Sequence, residues 1–172
     1  MKTKDLVLLS LLVGIGAVLH TVIPPILFGM KPDMLLAMMF LGIILFPKPH
    51  HVLLLSVVTG FISALTTGAP GGQIANLIDK PITAFVFLGL FLFLKEKGNI
   101  NIIIPMLTAF GTIISGSIFL TVTLFIVNLM EGGFITLFVG IVLPAAIVNT
   151  IVMTIVYPIA QGVLKRIRPK TI

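Results

Sequence analysis

Lys31-Pro32-Asp33-Met34-Leu35-Leu36-Ala37-Met38-Met39-Phe40-Leu41-Gly42-Ile43-Ile44-Leu45-Phe46-Pro47-Lys48 is the stretch on which the fold turns. Between its two lysine and proline ends, every residue from Met34 to Phe46 is uncharged and almost all of it is hydrocarbon. It is also short. At 1.5 Å per residue it covers about 20 Å, against roughly 30 Å of bilayer hydrocarbon. Either such a segment extends into its flanking loops, or those loops dip into the protein. Irregular backbone at membrane depth is tolerated where it is buried in protein or lines a cavity. Short segments interrupted by Gly and Pro therefore point towards a binding cavity.

The rest of the chain has the same character. Of its 172 residues, 58% are hydrophobic and 9% charged, and the mean hydropathy is +1.26. A soluble domain carries about a quarter charged residues, so the bilayer is the solvent here. The length suits one compact all-α membrane domain over residues 1–172. No cysteine is present, which excludes disulfides, thiolate metal sites and cysteine nucleophiles. The net charge of +6 does not indicate nucleic acid. The basic residues fall in short groups between apolar runs, as orientation signals do. The N-terminal Met1-Lys2-Thr3-Lys4 and the run from Leu6 read as a retained first helix, because no small-x-small cleavage site follows.

The hydropathy pattern predicts six transmembrane helices: Leu6 to Ile23, Met34 to Phe46, Val52 to Thr66, Pro81 to Leu94, Ile102 to Asn128 and Phe134 to Leu164. With the N-terminus inside, the inner segments hold Lys2, Lys4, Lys48, Lys95, Lys97, Lys165, Arg166, Arg168 and Lys170. The outer ones hold Lys31 and Lys80. That bias places both termini in the cytoplasm. The outer segments Pro24–Asp33 and Thr67–Lys80 are long, rich in Gly and Pro, and partly apolar. They read as ordered loops folded over something rather than as solvated linkers.

Lys31-Pro32-Asp33 and Asp79-Lys80-Pro81 each place a base, an acid and a proline at the expected outer start of a helix. Helix N-termini favour anions such as a carboxylate, and Asp33 or Asp79 can accept an ammonium. A cavity offering both suits a zwitterion, of which an amino acid is the smallest common example. The competing reading makes Asp33 and Asp79 helix caps, each paired with its neighbouring lysine. Gln73 and Asn76 either contact substrate or satisfy loop backbone. His20, near the outer end of the first helix, is either a structural hydrogen-bonding residue or a ligand contact. Asn149, mid-span after Pro144, either joins helices or reaches substrate. His50 and His51 lack a third ligand at metal spacing. Ser10 and Gly14 form a small-x-x-x-small pair on the first helix, suited to internal packing or to docking a partner. No H-E-x-x-H, G-x-S-x-G or P-loop motif occurs, so neither an enzyme nor a nucleotide or other cofactor is expected.

Three stretches carry a resemblance: Gly29 to Met34 running to Phe46-Pro47, Thr59 to Thr67 running to Asn76-Leu77-Ile78-Asp79-Lys80-Pro81, and Leu143 to Thr150 running to Tyr157-Pro158. Together they resemble the bacterial tryptophan transporter family, TrpP, over the whole chain. That family in turn resembles the substrate-binding S components of energy-coupling factor (ECF) transporters, which are six-helix bundles. The resemblance implies a multi-pass protein of the bacterial cytoplasmic membrane that takes up L-tryptophan. It implies a pocket near the outer face, under the first and third inter-helix loops. Phe28 and Phe85 would help enclose the indole, Lys31 or Lys80 would hold the carboxylate, and Asp33 or Asp79 the ammonium. It also implies an ECF T component and its ATPase pair as partners, docked at Ser10 and Gly14. The alternatives are an S component for a vitamin or other small aromatic compound, and a membrane scaffold without a ligand. The absence of tryptophan from the chain would suit a protein needed when that amino acid is scarce.

Overall fold

The computed structural model describes residues 3–24 and 31–167, and among these every regular element is helical. Helix α1 spans Thr3–Val22, α2 Met34–Leu45, α3 Pro49–Thr66, α4 Gly72–Leu94 and α5 Ile100–Thr121. Helix α5 continues through a π-helical turn, Val122–Ile126. A short helix α6, Phe134–Leu137, passes through a second π-helical turn, Phe138–Val142, into α7, Leu143–Ile167. Five rods are long and apolar enough to cross a membrane: α1, α3, α4, α5 with its π turn, and the α6–α7 rod. The chain is thus a membrane helical bundle.

The sixth, α2, has 12 residues and does not lengthen. Every residue from Met34 to Ile44 is buried. A helix that is apolar all round must be covered all round, and α1, α3, α4, α5 and α7 all pack on it. Phe40 stacks on Phe87 of α4 with ring centroids 4.1 Å apart. The ring also needs Gly111 of α5, where a Cβ would lie 2.7 Å from Phe40 Cζ. The outer helices turn branched side chains to the lipid, most regularly Ile147, Ile151, Ile155 and Ile159 down one face of α7.

The third and fourth spans start earlier than the hydropathy pattern predicts. Pro49 opens α3, where a missing N–H costs nothing because first-turn donors lack intrahelical partners. The larger correction is the outer segment Thr67–Lys80, expected as a loop. The chain turns within Thr67–Gly71, with Gly71 in the left-handed region at φ 73°, and is helical from Gly72 onward. Pro81 therefore sits inside α4 instead of at its start. It removes one backbone bond, while the buried face Ala75, Asn76, Asp79, Lys80, Thr83, Ala84, Phe87 runs straight through it.

The two π turns have local causes. At the end of α5, Thr121 and Thr123 donate their hydroxyls back to Ser117 and Phe119 carbonyls, competing with the regular ladder. Before α7, Pro144 cannot donate to the preceding turn, and the backbone rearranges just upstream of it. Asn128, at φ 53°, ends the α5 rod in a left-handed conformation that short amides tolerate.

An outer cavity above the short helix

Helix α2 begins at Met34, and the bundle is hollow at that end. A cavity of about 620 Å³ lies there. Its volume falls within the usual 300–1,000 Å³ range of small-molecule sites, about mid-range. The N-terminal end of α2 meets it through Asp33 and Leu36, and α1, α3, α4, α5 and α7 supply its sides. Apolar lining comes from Phe119, Leu120, Met130, Ile141, Val142 and Ala145.

The charged groups converge on one lysine. Lys80 donates to Asp33 Oδ2 at 2.7 Å and to Asp79 Oδ2 at 2.9 Å. Asp79 is fully buried, and its oxygens also accept from Ser115 at 2.6 Å and Thr83 at 2.7 Å. It is therefore not a helix cap, and it is not at the outer rim as expected. It is a carboxylate inside the bundle, ionically matched and hydrogen-bonded, as burial of a charge requires. Asp33 does cap a helix: its Oδ1 accepts from the Leu36 N–H at 2.9 Å. It pairs across the bundle with Lys80 rather than with its neighbour Lys31. Burial pushes the Asp33 carboxyl up, but the Lys80 ammonium, His20 and the Leu36 N–H outweigh it, so the pKa falls below its ordinary value. His20 places Nδ1 3.8 Å from Asp33 Oδ1, and that nitrogen is buried without a hydrogen-bond partner. Lys31 lines the cavity and makes no ion pair among the described residues.

Of the residues singled out in the sequence, His20, Lys31, Asp33, Asn76, Asp79 and Lys80 are brought together around this cavity. Asn149 stands one layer behind, fully buried, donating to Thr112 Oγ1 at 3.3 Å. Gln73, in the first turn of α4, is exposed and does not line the cavity. Phe85 is exposed on the outside of the bundle, and Phe28 lies outside the described residues. Ser10 and Gly14 are exposed on α1, beside a shallow groove of about 250 Å³ shared with Leu54, Val58 and Ile62 of α3.

Sequence reasoning passed over Ser63, Thr112, Ser115 and Thr83. A signal was present. Thr108, Thr112 and Ser115 recur at helical spacing in an apolar segment, as do Ser56, Thr59 and Ser63. Each set marks one polar stripe turned inward.

The family model described as tryptophan transporter TrpP matches residues 2–165. A probable tryptophan transport protein of Bacillus subtilis (strain 168) is 55% identical over 166 residues, covering 96% of this chain and 95% of that protein. One of the same description from Clostridium acetobutylicum is 46% identical over 158 residues, 91% of each. Another from Clostridium perfringens (strain 13 / Type A) is 33% identical over 175 residues, covering 96% of this chain and 95% of that protein. No solved structure matches.

Proposed function

We propose how the cavity works from one premise: this chain belongs to the tryptophan transporter family TrpP. It is a multi-pass protein of the bacterial cell membrane. Acting as one domain over residues 1–172, it takes up L-tryptophan from outside and holds it in the cavity above α2. Asp33 anchors the ammonium, joined by His20 Nδ1. Lys31, with the positive end of α2, holds the carboxylate. Phe119, Leu120 and Val142 pack the indole. Asp79 and Lys80 set the field without being free to bind: Asp79 is saturated by Lys80, Ser115 and Thr83.

The observation that carries this reading is the charge balance of the cavity. The lining carboxylates Asp33 and Asp79 are matched by Lys31 and Lys80. The site is neutral overall yet locally polarised, which suits a zwitterion better than a free cation or anion. The chain carries no nucleotide-binding loop, so the energy for uptake comes either from ATP used by another protein, for which we infer an ECF T component and its ATPases, or from an ion gradient. The groove beside Ser10 and Gly14 is the candidate docking face for them.

Uptake of labelled L-tryptophan into bacteria lacking their own tryptophan importers tests the assignment. Expression of the chain should restore uptake, and Asp33→Asn should abolish most of it. No restored tryptophan uptake, together with restored uptake of a labelled vitamin, would move the substrate to another compound. No uptake and no binding of either would reduce the chain to a scaffold.

A further inference from the structure

We propose that Ser63 reads the ring N–H of the bound tryptophan and so separates it from other aromatic amino acids; this rests on tryptophan occupying the cavity above α2. The polar side chains around that cavity are almost all engaged. Thr66 donates to the Ile62 carbonyl, Thr67 accepts from the Ala69 N–H, Thr112 accepts from Asn149 and Ser115 donates to Asp79. Ser63 lines the same cavity, is 1% exposed, and its Oγ has no hydrogen-bond partner. A buried serine in a helix ordinarily donates to the carbonyl one turn back. Thr66, Thr108, Ser117 and Thr150 all do so here, but Ser63 does not. A buried hydroxyl left unpaired calls for a partner that arrives. The unpaired His20 Nδ1 belongs with the ammonium, because it faces Asp33 at 3.8 Å.

Position favours the indole. Asn76 Nδ2 donates to the Ser63 carbonyl at 3.5 Å and to the Gly72 carbonyl at 2.9 Å. Asn76 stands one turn outward of Lys80 on α4, a separation of about 5–6 Å between side chains. That is the order of the reach from a tryptophan's α-amino group to its ring nitrogen. With the ammonium on Asp33, the ring N–H donates to the unpaired Ser63 Oγ. Phenylalanine, which has no such donor, leaves the hydroxyl unpaired, and a site built for a donor rejects such a ligand.

The test uses the full chain in detergent with L-tryptophan and with 3-benzothienyl-L-alanine, which carries sulfur in place of the ring N–H. Wild type should prefer tryptophan by about tenfold, and Ser63→Ala should bring the two ligands to within about threefold. Ser63→Cys, which puts a larger and weaker acceptor at the same position, should fall between. Tryptophan labelled with 15N in the ring gives a signal free of protein background, because the protein itself is unlabelled. Its ring N–H should exchange slowly with solvent in the wild-type complex and faster in Ser63→Ala. Tryptophan bound equally well as the sulfur analogue by wild type, or the same preference in wild type and both variants, overturns the role of Ser63 and leaves the cavity assignment standing. Failure of wild type to bind tryptophan at all overturns the cavity assignment itself.

Discussion

Asp33 and Asp79 share one lysine and have opposite freedoms. Asp79 has no exposure and accepts from three side chains, so its charge serves the bundle. Asp33 touches the cavity and has acceptor capacity left beyond Lys80 and the Leu36 N–H. Asparagine caps a helix as well as aspartate does, so Asp33→Asn removes the charge and keeps the cap. That variant should weaken tryptophan binding by at least about tenfold while costing less stability than Asp79→Asn. Asp79→Asn should instead lower stability by about 1–3 kcal/mol, because it strips the charge from a buried network. A calorimetric midpoint and a dissociation constant for each variant separate the two roles; equal effects on both quantities would refute the division. The pH dependence follows from the lowered Asp33 pKa. A carboxylate whose folded value lies below its unfolded one stabilises the protein above the unfolded value. That stabilisation is lost as pH falls through the folded value. The stability difference between wild type and Asp33→Asn should therefore be constant from pH 7 to 5 and shrink only below about pH 4.

Among the elements, α2 explains the most. Its Met34 end borders the cavity, and its all-round burial leaves no room for error below. Gly111→Ala pushes a methyl into the Phe40 ring, which cannot retreat because it is stacked on Phe87. A loss of about 1–3 kcal/mol is expected, read as a lower thermal midpoint with tryptophan affinity unchanged per folded molecule. The shortness of α2 was legible from Met34 to Phe46, and so was its link to a cavity, because run length and flanking prolines are local properties. The start of α4 was not legible. Charge and proline at Asp79-Lys80-Pro81 signal a helix boundary in any single sequence. What overrides that signal is a partner 47 residues away, Asp33, and another 36 residues away, Ser115. Helical spacing alone would have flagged Ser63 on α3, and Thr112 with Ser115 on α5, as inward, but not which of them lacked a partner. Asn149 was weighed as a substrate contact, and its place behind Thr112 depends on how α5 meets α7.

At the scale of the molecule, a polar, partly empty layer is set between two apolar ones. One core is built on α2. A second, around Leu120, Leu124 and Val142, lies towards the α5 and α6 ends, and the cavity opens beside it. The charge bias sharpens once Lys80 is recognised as a helix-interior residue, leaving Lys31 as the lysine of the outer segments. The chain has no cysteine, so single cysteines report orientation cleanly. An impermeant thiol reagent should label Lys31→Cys on intact cells and Lys97→Cys only after permeabilisation. The same economy of residue types gives the sharpest test of the central claim, that tryptophan sits in the cavity above α2. With no tryptophan and one tyrosine in the chain, added L-tryptophan supplies the sole indole in the sample. Titration of the purified protein should give a saturable blue shift and a rise in anisotropy at micromolar concentrations, both lost in Asp33→Asn. Emission wavelength, intensity and anisotropy that match tryptophan in buffer at every protein concentration would contradict the account.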